Sequence, residues 1–119
     1  MRNSIQGDLG EAAVRQRLLD SNRLTLLGEQ IQITTPGVGS HRVTDFLVQS
    51  NKTGKLSIIE VKTGNATRSS SQLAKDALIA DPTVPTLFRG DRLSPFGFPA
   101  GTPTPPIITF EVNASNLTR

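Results

Sequence analysis

The chain has 119 residues, a length that holds one domain. Thirteen Lys and Arg against ten Asp and Glu give a net charge of +3, which permits a polyanionic partner without requiring one. The lack of cysteine excludes disulfides, thiolate zinc sites and cysteine nucleophiles, and a single His excludes a multi-histidine metal centre.

Ser4 to Asp20 reads as a helix capped by Ser4, with Leu9, Ala12, Ala13 and Leu19 near one face and Val14 and Leu18 off it. Leu24 to Thr35 reads as extended, because Ile31 and Ile33 alternate with Gln30 and Gln32. Pro36 to Ser40 is a loop, and Val43 to Val48 is a second strand rich in β-branched and aromatic residues. Asn51 to Gly54 is a turn into a third strand, Lys55 to Lys62. Ser69 to Ser71 offer caps for a helix over Gln72 to Ala80, with Leu73, Ala77 and Leu78 or Ile79 inward and Asp81-Pro82 as its stop. Residues 82–106 carry seven of the eight prolines and three glycines, which excludes regular helix and central strand. Phe88, Phe96 and Phe98 in this segment are expected to fold back over the core. Ile107 to Val112 is a last strand, followed by a polar tail. The order predicts one α/β domain with a central mixed sheet, an antiparallel meander plus a further strand, flanked by helices. Its core spans residues 4–80 and 107–112. No apolar run approaches the roughly 20 residues of a membrane span, and Met1 to Asp8 lacks the apolar stretch of a signal peptide. The Asn-x-Ser/Thr sites at Asn51, Asn65, Asn113 and Asn116 are therefore read as Ser/Thr-rich composition.

The chemistry concentrates on the third strand. Leu56, Ile58, Glu60 and Lys62 share a face that starts apolar and ends with an acid and a base. If the turn at residues 51–54 closes a hairpin, Ser50 or Asn51 faces Lys55, and Asp45 lies opposite Glu60 or Val61. In the first register two carboxylates sit on adjacent strands with Cβ atoms roughly 5 Å apart. Such a pair needs a proton or a cation between its members. A hard divalent cation with oxygen ligands is the natural answer, with Lys62 beside it.

Asp45 followed by Glu60-Val61-Lys62 resembles the signature of the PD-(D/E)XK nuclease superfamily. Gly10-Glu11 on the first helix, Thr63-Gly64 after the third strand and Gln72 on the second helix are similar to the same pattern, although Thr44 stands where the signature has proline. The resemblance spans about Gly7 to Asp76 and the final strand. It implies a restriction-endonuclease-like core and a Mg²⁺- or Mn²⁺-dependent phosphodiesterase. Asp45, Glu60, the Val61 carbonyl and Glu11 would then hold metal. Lys62 would act on the attacking water or the phosphate, and Gln72 would orient water or substrate. Arg15, Arg42, Lys55, Arg68, Lys75, Arg89 and Arg92 are candidate phosphate contacts, with Arg68 and Lys75 expected as solvated surface. His41 reads as loop surface.

The short chain suits a bare catalytic module. It resembles the C-terminal nuclease domains of bacterial polymorphic toxins, delivered by a larger secreted carrier into a target-cell cytoplasm and neutralised by an immunity protein. DNA is favoured over RNA as substrate. A toxin of the same fold that cleaves transfer RNA and a repair or Holliday-junction nuclease are the alternatives, and an inactive nuclease-like binding module is the reading from another class.

Overall fold

The structure, a computed structural model, describes residues 2–36 and 41–115, with side chains described from Leu9 onward. The order is α1 (Arg2–Leu19), β1 (Leu24–Thr34), β2 (His41–Ser50), β3 (Leu56–Lys62), α2 (Ser70–Ala80), β4 (Leu87–Arg89), a short 3₁₀ turn (Ser94–Phe96) and β5 (Ile108–Asn113). The strands form one mixed sheet in the order β4-β1-β2-β3-β5. β1, β2 and β3 are an antiparallel meander, and β5 runs parallel to β3 after the crossover through α2. The expected α/β layering with a mixed sheet is thus present. Most of the loop at residues 36–40 and the tail beyond Ser115 lie outside the described residues.

The local signals act as their chemistry requires. The Ser69 side chain accepts from the Gln72 N–H while the Gln72 side chain accepts from the Ser69 N–H, a reciprocal cap for α2. Asp81 ends α2 in an extended conformation, ahead of Pro82. Ser50 N–H donates to the Lys55 carbonyl across the turn, and Gly54 takes the left-handed conformation that closes it. Ser50 therefore faces Lys55, and the ladder from Gln49↔Leu56 to Phe46↔Ile59 keeps that register.

Two apolar clusters lie on opposite faces of the sheet, because successive strand side chains alternate. Leu56 and Ile58 join Leu27, Ile31, Ile33, Leu47, Phe88 and Leu93 on the face covered by Ile79 of α2. Ile59 and Val61 join Phe46, Val48 and Ala114 beneath Val14 and Leu18 of α1. The Pro-rich segment folds over the first cluster, with the Phe88 and Phe98 rings 5.3 Å apart, while Phe96 stays exposed. Its one short strand, β4, is an edge strand, the only sheet position that suits such a segment.

Three expectations about the helices are corrected. Ser4 lies inside α1 rather than at its cap. The buried line of α1 is Gly10, Val14 and Leu18, spaced by four, whereas Leu9, Ala12 and Leu19 are exposed. Gly10 decides this rotation. A Cβ there would come within 2.9 Å of the Thr63 side chain and 3.1 Å of Ala114, so the helix seats closest where it has no side chain. In α2, Asp76 and Ile79 are buried, while Leu73 and Ala77 point outward. A carboxylate inward of Leu73 makes sense only through the partners described next.

Candidate active site at the open end of β2 and β3

The last ladder pair between β2 and β3 is Phe46↔Ile59. Beyond it the strands part, and the Val61 N–H is taken by Oδ2 of Asp45 at 2.7 Å instead of by a strand carbonyl. One step further in the same register, Asp45 lies opposite Glu60. β2 changes face at this point. Phe46 packs under α1, but Thr44 and Arg42 pair with Ile31 and Ile33 of the α2-side core. The pairs Glu29↔Phe46 and Ile31↔Thr44 leave Gln30 facing Asp45, and Gln30 has a φ of 53°. It is the single non-glycine at positive φ among the described residues.

Glu60 is 4% exposed and is not alone. Arg42 Nη2 donates to its Oε2 at 2.9 Å, and Lys62 Nζ lies 3.6 Å from its Oε1. The Arg42 Nε donates to Asp76 Oδ1 at 2.8 Å. Arg68 Nη1 donates to Asp76 Oδ2 at 3.0 Å, and Arg68 Nε to Glu111 of β5 at 3.2 Å. Charges thus alternate from Lys62 through Glu60, Arg42, Asp76 and Arg68 to Glu111. A guanidinium thus supplies a cation to Glu60, one member of the Asp45–Glu60 pair, and to Asp76. This corrects the assignment of Arg42 as a phosphate contact, since at 3% exposure it is sealed between two acids. Arg68 is likewise tied to Asp76 and Glu111 rather than free in solvent. Arg15 pairs with Glu29 and stacks over the Phe46 ring.

Asp45 is the contrasting member. Among the described residues no cation lies within salt-bridge distance of it. Burial pushes its carboxyl above the ordinary aspartate value, and the Glu11 charge adds to the rise. The Val61 N–H, Lys62 and Arg42 pull the other way without cancelling it. Glu60 is also raised, first by burial and then by the Asp45 charge, against Arg42 and Lys62. The Asp45 charge thus makes Glu60 harder to ionise and the Glu11 charge does the same to Asp45, the electrostatic pattern of a site that gains from added positive charge.

The remaining residues fall around this pair. Glu11 is half-buried on α1, near enough for its charge to act on Asp45. Gln72 Oε1 accepts from Lys62 Nζ at 3.4 Å and from the Ser69 N–H at 3.0 Å, so one oxygen serves both helix cap and lysine. His41 Nδ1 meets the Arg89 guanidinium at the far end of β2. Asp45, Glu60, Val61, Lys62 and Gln72 are thus brought together, with Glu11 at the rim. Sequence reasoning missed Arg42 and Asp76 as a unit. Their signal was opposite charges at inward positions of two elements, legible only once the inward faces are known. A cavity of about 720 Å³ lies at the other end of β3 among Leu56, Pro105, Pro106, Ile108 and Phe110, and no candidate residue of the acid pair lines it.

Among the described residues no three His, Cys, Asp or Glu side chains converge as a metal cage. The donor set still fits a hard cation of the magnesium kind, which takes one or two carboxylates and fills its shell with water and phosphate oxygens. Asp45 Oδ1 is not engaged by the Val61 N–H. The Val61 carbonyl belongs to the same strand end as that N–H, and both carboxyls are raised by burial and neighbouring negative charge. No helix among the described residues is long and apolar enough to cross a membrane. No known protein family matches the chain, and neither does any curated protein or solved structure.

Proposed function

We propose that this protein is a metal-dependent phosphodiesterase of the PD-(D/E)XK type that cleaves nucleic acid, with DNA favoured over RNA. The observation that carries the reading is the Asp45–Glu60 pair at the strand opening. Both carboxyls are raised by burial and neighbouring negative charge, and Lys62 lies against Glu60. The restriction-endonuclease-like core is part of the proposal. It draws on a helix, an antiparallel meander, a crossover helix and a parallel strand in that order, with the acids at the meander's open end.

Asp45 and Glu60, with the Val61 carbonyl and Glu11 at the rim, would hold Mg²⁺ or Mn²⁺. The ion would supply a lowered water pKa and neutralisation of phosphate charge. Lys62 Nζ lies between Glu60 and Gln72, where it can donate to a phosphate oxygen or to the attacking water and stabilise charge developing on phosphorus. Gln72 fixes the lysine's direction. Arg42 holds the far oxygen of Glu60, which orients the near one toward the opening. Within this proposal the protein is a toxin module of bacterial origin, delivered by a larger secreted protein, acting in a target-cell cytoplasm and held in check by an immunity protein. Transfer RNA cleavage or junction processing by the same site are its variants.

A second reading, a non-catalytic binding module, has one observation in its favour. The Arg42 guanidinium already compensates Glu60, so Glu60 is stable without a metal. Incubation with plasmid DNA and with transfer RNA, in Mg²⁺ or in chelator, separates the two. Wild type should cut one substrate only with Mg²⁺, and Lys62→Ala should lower the rate by about 10²- to 10⁴-fold with little change in melting temperature. Absence of Mg²⁺-dependent cutting would leave the binding module standing, and undiminished cutting by Lys62→Ala would remove Lys62 from the chemistry.

A further inference from the structure

Beside the candidate site lies a second polar feature that the reaction chemistry does not use. Gln30, Gln32, Arg89, Gly90, Asp91 and Arg92, with Ile31 behind them, line a cavity of about 90 Å³ between β1 and the turn that follows β4. That is space for a few water molecules, enough for a tetrahedral oxyanion and too small for a nucleoside. Arg89 pairs with Gln32 across the β1–β4 ladder, so both leave the sheet on one face, opposite the buried Ile33 and Phe88. Arg92 reaches the same place from the turn and anchors one Nη1 on the Glu29 carbonyl at 2.7 Å, which sets the direction of its guanidinium.

The lining is rich in donors. Two guanidiniums and two carboxamides face a single acid, Asp91, and neither arginine forms an ion pair with a carboxylate among the described residues. Guanidinium forks match phosphate oxygens two by two. This separates Arg89 and Arg92 from Arg15, Arg42 and Arg68, whose charge is spent on internal acids.

The backbone supplies an independent pointer. Gln30 lines this cavity in a left-handed conformation that costs a non-glycine residue about 1–2 kcal/mol, and such strain gathers at functional positions. Gln30 is also the residue facing Asp45 across β1 and β2. The irregular point of β1 therefore lines the cavity and, in the ladder register, lies opposite the candidate catalytic acid, one strand spacing away, roughly 5 Å.

We propose that the Gln30, Gln32, Arg89 and Arg92 pocket binds one backbone phosphate of a polynucleotide, a few nucleotides from the bond addressed at Asp45, Glu60 and Lys62. The inference rests on the phosphodiesterase reading for the identity of the ligand. It makes the substrate a polymer gripped beyond the cleaved bond, rather than a mononucleotide or a free phosphate ester.

The test is a binding measurement in chelator, where no cleavage occurs. Fluorescence anisotropy of a labelled short DNA duplex and a labelled RNA hairpin is titrated with wild type, Arg89→Ala/Arg92→Ala and Arg23→Ala/Lys52→Ala across a salt series. The last variant removes two exposed cations at the opposite end of the sheet. The proposal expects Arg89→Ala/Arg92→Ala to weaken binding about tenfold or more and to flatten the plot of log affinity against log salt by about one, with an unchanged melting temperature and the Arg23→Ala/Lys52→Ala variant near wild type. Inorganic phosphate should shift the Nε–H resonances of Arg89 and Arg92 in wild type. Equal affinity and slope in wild type and the arginine variant, or no binding of either nucleic acid by wild type, overturns the pocket. Loss of binding in both double variants alike also overturns it, because that describes diffuse attraction. Cleavage in Mg²⁺ is scored separately, so a pocket that fails on an active nuclease is distinguishable from a nuclease that fails with its pocket intact.

Discussion

Asp45, half-buried on β2, and Asp76, buried on α2, are two aspartates with opposite circumstances. Asp76 on α2 is gripped by Arg42 and Arg68 at 2.8 and 3.0 Å. Asp45 on β2 has a single backbone N–H and two acidic neighbours, and its carboxyl is raised. Asp76 pins α2 to β2 and, through Arg68 and Glu111, to the edge strand β5. Asp45 makes no ion pair between elements among the described residues, and burial together with the Glu11 charge opposes its ionisation. A fold keeps a paired acid for cohesion, whereas an acid kept against neighbouring charge is where the proposed cation would bind. Glu60 stands between the two, paired to Arg42 on one side and opposed by Asp45 on the other.

The contrast breaks first at Arg42. Arg42→Ala leaves Glu60 and Asp76 buried without their shared cation and should cost about 3–5 kcal/mol, read as the shift in a urea unfolding midpoint. A midpoint near wild type would show that the paired region is not cohesive. Asp45→Asn should do the reverse. The native carboxyl binds its proton more tightly than the unfolded one, so folding stability is full below the ordinary aspartate value and falls as pH rises through the raised native value. The carboxamide of the variant can still accept the Val61 N–H and carries no charge. Asp45→Asn should therefore melt higher than wild type at neutral pH and converge with it in acid, while losing Mg²⁺-dependent cleavage. A lower melting temperature at neutral pH would make Asp45 a structural acid like Asp76. Gln30→Gly should recover part of the left-handed cost, about 1 kcal/mol, seen as a higher unfolding midpoint. No gain would mean that Gln30 contacts repay its strain. The smallest effect belongs to the surface control. Arg15 and Glu29 are each 37% exposed, and Glu29→Gln should move stability by no more than about 1 kcal/mol, less in high salt.

Much of this contrast is readable along the chain. The alternation of Ile31 and Ile33 with Gln30 and Gln32 marks β1, the Ser69 to Gln72 box starts α2, and the turn at residues 51–54 sets the register of β2 on β3. With Asp45 and Glu60 equidistant from that turn, their proximity follows from counting. The misread residues share one cause. Val14, Leu18 and Asp76 are inward, and Leu9, Leu19 and Leu73 outward, because a helix with weak amphipathy is oriented by what it lands on, and Gly10 offers the closest landing.

Short-range physics, in turns, caps and strand alternation, is therefore written in the sequence, and with it the meeting of two carboxylates and a lysine at one strand end. The tertiary structure alone decided that Arg42 reaches Glu60 and Asp76, 18 and 34 residues away, and that Gln30 turns left-handed between Asp45 and the Arg89–Arg92 cavity. Ion pairs and backbone strain depend on which distant elements are packed together and how far water is excluded, quantities that no local pattern of residues contains.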